Sequence, residues 1–171
     1  GGGFGGKGYA MAECMAVLLS RKTQRPVKMV QSREETLRGS GPASASFFRV
    51  KAGCTKDGRI TALSHWVAAD AGCKPGAPLF NMLTCPIAPY KIPNLMLEGF
   101  DVVTNKVRVQ AYRGPGAPPA HWAVEQTVDA LADAIGMDPL DFRIKNSIDE
   151  GDPKVPGSTW ERVGLQEVLR R

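Results

Sequence analysis

The chain has 171 residues, of which 43% are hydrophobic and 23% charged, with a formal net charge of +5. That length suits about one domain, can bury a core without disulfide staples, and carries a composition that excludes a disordered or fibrous chain. The charge is uneven: residues 1–60 hold eleven Lys/Arg against four Asp/Glu, and residues 120–150 hold two against seven. A basic first third suits anionic ligands such as phosphates, or is simply a solvated surface. Aromatic residues make up 7% and do not interleave with the basic ones. No helix-turn-helix, zinc-finger or RNP-like stretch occurs, which argues against nucleic acid as a partner. Cys14, Cys54, Cys73 and Cys85 form no CxxC pair, and His65 and His121 stand apart from them. Zinc and iron–sulfur sites are therefore not expected on this chain, and four free thiols in a reducing, cytoplasmic setting are. The longest apolar stretch, Met11 to Leu19, is broken by Glu13 and is far too short for a membrane span.

In chain order, residues 1–8 read as a glycine-rich loop. The chain begins at Gly1 inside this loop, which suggests an internal segment of a longer protein. Tyr9 to Lys22 reads as a helix with Ala12, Ala16 and Leu19 on one face and Met11, Met15 and Leu18 on the next. With Glu13 as its only acidic residue, most of its girth is expected to be buried. Pro26 stops it. Val27 to Gln31 is a short strand candidate. Ser46 to Cys54 and Arg59 to Ala69 form a hairpin around Lys56-Asp57-Gly58. Gly72 to Pro78 is loop, and Pro86 to Pro93 is irregular. Leu95 to Val103 is a strand with Leu95, Leu97 and Gly99 on one face. Thr104-Asn105-Lys106 turns into a short strand, Val107 to Tyr112.

Arg113 to Pro119 is a second Gly/Pro-rich loop. Ala120 to Ile135 is the clearest helix, with an apolar stripe of Ala120, Val124, Val128, Leu131 and Ile135. Gly136 ends it. Asp138-Pro139 starts a short helix to Ile148, and a last helix begins at Gly164. The expected fold class is α+β: a mixed sheet with a hairpin, packed by the 9–22 and 120–135 helices.

Two loops carry the chemistry. In GGGFGGK, residues 1–7, glycine permits positive φ and close backbone approach to a ligand. A glycine loop that feeds a helix N-terminus favours an anion, and Lys7 adds a cation. A P-loop fits at Gly1, Gly6 and Lys7, but Gly8 stands where the Mg²⁺-holding hydroxyl is needed. The second loop, Ala111-Tyr112-Arg113-Gly114-Pro115-Gly116-Ala117-Pro118, offers a planar guanidinium for phosphate or oxo groups. The carboxylates Glu125, Asp129 and Asp133 recur every four residues and read as a solvated or subunit-facing stripe rather than a metal site. Trp66, Trp122 and Trp160 read as core or interface residues.

With R-P-V-K at 25–28, S-R-E-E at 32–35, D-G-R-I-T-A-L at 57–63, Y-K-I-P-N at 90–94, T-N at 104–105, Glu125, D-x-L-A at 129–132, G-M-D-P at 136–139 and R-x-K-N at 143–146, the two loops make the chain resemble a known family throughout. That family is the molybdenum-binding large subunit of xanthine dehydrogenases and aldehyde oxidases. The resemblance implies one partial molybdopterin-binding domain over residues 1–171. It implies a molybdenum–molybdopterin cofactor, in bacteria often the cytosine dinucleotide form, and oxidation of a small-molecule substrate with water as oxygen source. Electrons would leave through iron–sulfur clusters and FAD on other domains or subunits, and the remainder of the large subunit would be the nearest partner. By the same match, Gly3, Phe4, Gly5 and Gly6 face the cofactor, joined by Ala111, Tyr112, Arg113 and Gly114.

Departures from the family pattern narrow the expectation. The family's catalytic base is a glutamate in a glycine-rich motif near the subunit's C-terminus. No glutamate here sits in such a motif, so no catalytic residue and no direct metal ligand is assigned to this chain. The purine-oxidising branch has Glu where this chain has Gly8, and Phe where it has Pro115. The carbon monoxide branch has Cys at the position of Gly114. Purines and carbon monoxide are therefore disfavoured against an aldehyde, an aromatic heterocycle or a thioester. The competing expectation is a folded fragment with no cofactor and no activity of its own.

Overall fold

A computed structural model describes residues 3–10, 12–154 and 158–171. Gly1 and Gly2 of the first loop, and Met11 of the first predicted helix, lie outside the described residues.

The centre is a three-stranded mixed sheet in the order β1-β2-β3. β1 (Ser46–Cys54) and β2 (Ile60–Gly72) form the expected antiparallel hairpin, in register from Ser46 opposite Ala69 to Cys54 opposite Ile60. β3 (Leu95–Val103) lies parallel to β2, from Leu63 opposite Leu95 to Gly72 opposite Val103. Alternation sets the faces: Leu63, His65, Val67, Ala69 and Ala71 of β2 all point into the core.

Two helices cover the sheet. α4 (Ala117–Ile135) packs on β1, and α3 (Leu79–Thr84) packs on β2 and β3. α4 buries Ala120, Val124, Val128 and Ala132, close to the predicted stripe. Leu131 and Ile135 are only partly buried, because the buried line drifts toward Ala132. At the end of α4, Gly136 takes φ +66°, and its N–H caps the Ala132 and Asp133 carbonyls. α5 (Pro139–Asn146) starts as predicted, with the Asp138 carboxylate accepting from the Leu140 and Asp141 amides. It stops at Asn146 rather than Ile148, because Ser147 turns extended and bridges Tyr90. β4 (Pro153–Lys154) pairs β5 (Ser158–Thr159), and α6 (Leu165–Leu169) follows Gly164.

Three expectations need correction. α1 (Glu13–Thr23) forms, but it buries none of its residues and leaves Met15, Val17 and Leu18 more than half exposed. The second helix against the sheet is therefore α3, which carries no clear helix signal in the sequence. Gly99 shows why α3 can sit there: a Cβ on it would lie 2.9 Å from Leu83 Cδ1 and 3.3 Å from Leu79 Cδ2. Val27 to Gln31 forms no strand. It leads into Ser32, whose hydroxyl accepts from the Glu35 amide while the Glu35 carboxylate accepts from the Ser32 amide. That reciprocal box starts α2 (Arg33–Gly39), and the S-x-x-E signal at 32–35 was legible. Val107 to Tyr112 is also not a ladder strand. It is pinned instead by single bonds, from Cys73 N–H to Lys106 O, Val109 N–H to Ala71 O and Gln110 N–H to Pro42 O.

His65 is the oddest core residue. It is fully buried against the Phe48 ring, 5.9 Å between centroids, and among the described residues neither ring nitrogen has a hydrogen-bond partner. Burial pushes its pKa below the ordinary 6.5. The unfolded chain then binds the proton more readily, so stability falls as pH drops below about 6.5 and is fully present above it. His65→Leu is expected to flatten the dependence of Tm on pH between 7 and 5, read by calorimetry at matched ionic strength. An unchanged slope would refute this assignment.

Candidate functional site

The first loop is a tight turn. Gly6 N–H donates to Gly3 O at 2.8 Å, and the two residues between them take positive φ, +51° at Phe4 and +94° at Gly5. Gly5 is at home there, whereas Phe4 is strained. The Phe4 ring is 70% exposed. Gly3 and Gly6, with Lys7 and Tyr9, line one side of a groove of about 810 Å³ whose other wall includes Met29 and Ser40.

The second loop is held from below. Asp70 fixes the turn that precedes it: its carboxylate accepts from Lys106 Nζ at 2.7 Å, Thr104 Oγ1 at 2.6 Å and the Gly72 amide at 2.9 Å. Lys106, then Thr104 and the Gly72 amide, hold that carboxyl down to about 2. Past the turn, Asn81 of α3 donates its side-chain amide to Pro115 O at 3.2 Å. Gly116 takes φ +81° over Met82, where a Cβ would sit 2.7 Å from Met82 Cγ. Between these supports Arg113 has φ +32° and Gly114 +69°.

The structure brings the two loops together. Arg113 N–H donates to Phe4 O at 2.6 Å, and the Arg113 guanidinium carbon lies 6.0 Å from the Phe4 ring centroid. A Cβ on Gly5 would meet Ala111 Cβ at 3.2 Å and Ala111 O at 3.3 Å, so only glycine lets the backbones lie this close. Gly6 likewise faces Ala111 O, at 3.5 Å from an added Cβ. The eight residues singled out from sequence, Gly3, Phe4, Gly5, Gly6, Ala111, Tyr112, Arg113 and Gly114, thus fall into one patch. Among the described residues Arg113 pairs with no carboxylate. The Gly114 Cα faces open space. Two strained non-glycine residues hydrogen-bonded across one contact are what a preorganised ligand site carries.

Other candidates sort away from this patch. Glu125 and Asp129 are not a merely solvated stripe. Arg143 of α5 grips both at 2.7 Å, and Tyr90 Oη donates to Glu125 at 2.7 Å. Burial, followed by the Glu125 carboxylate, pushes the Tyr90 phenol up. Burial works against the Arg143 charge, but its two carboxylates outweigh it and raise the pKa. Asp133 alone stays exposed. Trp66 stacks on Phe100 at 5.3 Å on the outer face of the sheet, and Trp160 lies under Lys154. Trp122 is 69% exposed and fills no core. All four cysteines are free thiols. Sequence reasoning missed Asn81 and Asp70, the supports of the second loop. Thr104 and Lys106 gave no hint that they close on a residue more than thirty positions earlier.

Comparison with known proteins follows the same two loops. A family model described as the molybdopterin cofactor-binding domain matches residues 1–147. The large molybdopterin subunit of nicotinate dehydrogenase from Eubacterium barkeri is 38% identical across all of this chain, which spans 41% of that subunit. The crystal structure of quinoline 2-oxidoreductase from Pseudomonas putida 86 superposes over 99% of the chain with a TM-score of 0.88 at 27% identity, and the chain covers 23% of it. The aldehyde oxidoreductase of Desulfovibrio gigas gives a TM-score of 0.87 at 32% identity over 99% of the chain, or 19% of that protein. The chain therefore spans less than half the length of the relatives it matches. With the family match running from the first glycine loop through the second and on to the end of α5, this chain belongs to the molybdopterin cofactor-binding domain family.

Proposed function

We propose that this chain is the part of a molybdenum hydroxylase that holds one side of the molybdopterin cofactor. The observation that carries the reading is the docking of the two strained loops through the Phe4–Arg113 hydrogen bond. The residues present fit such a group. An exposed guanidinium without a carboxylate partner suits an anionic, oxo-rich ligand, and the bare Cα of Gly114 allows close approach. Gly3, Phe4, Gly5 and Gly6 would contact it from one side, and Ala111, Tyr112, Arg113 and Gly114 from the other. The bound cofactor supplies two-electron oxidation of a substrate carbon with water as the oxygen source. This chain's own part is to bind and orient: Arg113 balances negative charge, and the exposed Phe4 and Tyr112 rings wall the approach and exclude water.

Among the described residues no three His, Cys, Asp or Glu side chains gather as a metal-ligand set. The reading therefore needs the metal to be carried by its organic cofactor. It also places the catalytic base, the iron–sulfur clusters and the flavin on other segments or subunits, in the cytoplasm. The substrate is an aldehyde, an aromatic heterocycle or a thioester rather than a purine or carbon monoxide, on the strength of Gly8, Pro115 and Gly114. The cytosine dinucleotide form of the cofactor belongs to the same proposal. Among the described residues no helix is long and apolar enough to cross a membrane.

Gly5→Ala tests the reading. Its φ of +94° and its contact with Ala111 make any side chain there force the loops apart. About 1–2 kcal/mol of local strain corresponds to roughly a tenfold weaker hold on the cofactor. The intact protein is expected to purify with molybdenum, and the variant with about a tenth as much by elemental mass spectrometry. Equal metal in both would sink the site assignment. Turnover of the intact protein on an aldehyde, nicotinate, xanthine and carbon monoxide, with an artificial electron acceptor, tests the substrate class. A preference for xanthine or carbon monoxide would overturn that part.

A further inference from the structure

The first loop is fastened at a second point, remote from Arg113. Among the described residues, the Phe4 carbonyl makes the one backbone hydrogen bond from residues 3–10 to the body of the chain. At the other end of this stretch, the Arg108 guanidinium carbon lies 5.0 Å from the centroid of the Tyr9 ring. Arg108 has no hydrogen bond or carboxylate partner among the described residues, and its Nε is buried without one. A partly buried guanidinium without an anion gains from the face of an aromatic ring.

The post that carries Arg108 is rigid. Its neighbours are pinned by the Cys73–Lys106, Val109–Ala71 and Gln110–Pro42 backbone bonds. Gly72 packs directly on its backbone, where a Cβ would lie 2.7 Å from Arg108 Cα. Gly76 leaves room for the guanidinium itself, with an added Cβ only 3.1 Å from Nη2. Loop and post thus run side by side with two arginine–aromatic contacts, Arg113 on Phe4 and Arg108 on Tyr9.

We propose that Arg108 is a positioning residue: through the face of Tyr9 it fixes the register of the glycine loop against Ala111–Gly114, and so holds the loop in its ligand-ready shape. The proposal rests on the cofactor reading above only for its consequence, retention of the metal. Fixing the loop is a claim about the chain itself.

The test uses the intact protein and four variants. Arg108→Met keeps the stem and removes the cation, and Arg108→Lys keeps a cation. Tyr9→Leu removes the aromatic face, and Tyr9→Phe keeps it. Hydrogen exchange by mass spectrometry reads the amides of residues 3–8 against those of β2. Arg108→Met and Tyr9→Leu are expected to speed exchange in the loop by about fivefold, the scale of one such contact, with β2 unchanged. Tyr9→Phe is expected to match the parent, Arg108→Lys to fall between, and the double variant Arg108→Met/Tyr9→Leu to be no faster than either single one. Unchanged loop exchange, or equal loosening of loop and sheet, would overturn the proposal. Molybdenum content separates the two readings. Metal absent from parent and variants alike, with the loop still loosened, overturns the cofactor reading and leaves the Arg108 contact standing.

Discussion

Gly72→Ala is expected to lower stability by about 3 kcal/mol and to lift the 107–112 segment off the sheet. Two costs combine. The residue sits at φ +74°, where any side chain costs about 1–2 kcal/mol. Its Cβ would also fall 2.2 Å from Val107 O and 2.7 Å from Arg108 Cα. Those are backbone atoms, so no side chain can swing aside, and overpacking of this kind costs about 1–3 kcal/mol. The matched control is Gly136→Ala. That glycine has φ +66° but nothing within 4 Å of an added Cβ, so it bears only the backbone cost of about 1 kcal/mol. For a chain of this size the first change should drop Tm by roughly 6–12 °C and the second by a few degrees. Equal drops would mean that Gly72 is needed for its φ alone. Alanine keeps the N–H that Gly72 donates to Asp70, so the drop beyond that of the control reads the backbone overlap alone.

Asn146→Leu is the second large effect. Asn146 is 3% exposed and spends its whole amide on backbone. Its oxygen accepts from Ile60 N–H at 2.8 Å, and its nitrogen donates to Gly58 O and Phe142 O, each at 2.8 Å. It thereby locks the start of β2 and the β1–β2 turn onto the end of α5. Leucine takes the side-chain partner from Ile60 N–H and Gly58 O, at about 1 kcal/mol or more each, while Phe142 O keeps its bond within α5, so a loss near ~2 kcal/mol is expected in urea unfolding. Asn146→Asp separates the bonds. It keeps the acceptor for Ile60 but turns an acceptor toward two carbonyls. A protonated carboxyl can donate there, and an ionised one cannot. The variant should therefore be most stable at acidic pH and lose stability as pH rises through its raised pKa. A pH-independent loss would assign the cost to packing instead.

The elements that were legible in the sequence carry their signals locally. β1 and β3 came out at the bounds the alternation sets, and the Gly136 and Asp138-Pro139 signals fixed the α4–α5 corner. The two glycine loops announced themselves by composition. What stayed hidden depends on partners far away in the chain. α1 reads as a buried helix because its apolar residues are many, but the described structure fully buries none of them. Val107–Tyr112 has strand-like residues, yet its pairing is set by Ala71 and Pro42. Glu125 and Asp129 looked like free surface because Arg143 sits on another helix. The docking of Phe4 on Arg113 follows from no local pattern. The eight candidate residues were named from a resemblance, and the geometry supplies their proximity but not their ligand.

The parallel placement of β3 beside β2 bears on the order in which the molecule assembles. The β1–β2 hairpin is local and can close in microseconds. β3 can pair only after the crossover through α3 is in place, and α3 also supplies Asn81 and Met82 beneath the second loop. Phe4 and Arg113 are more than a hundred residues apart in the chain. Contacts of such separation form late, since their loop-closure entropy must be met first. The Phe4–Arg113 contact is therefore expected to form after the β1–β2 hairpin.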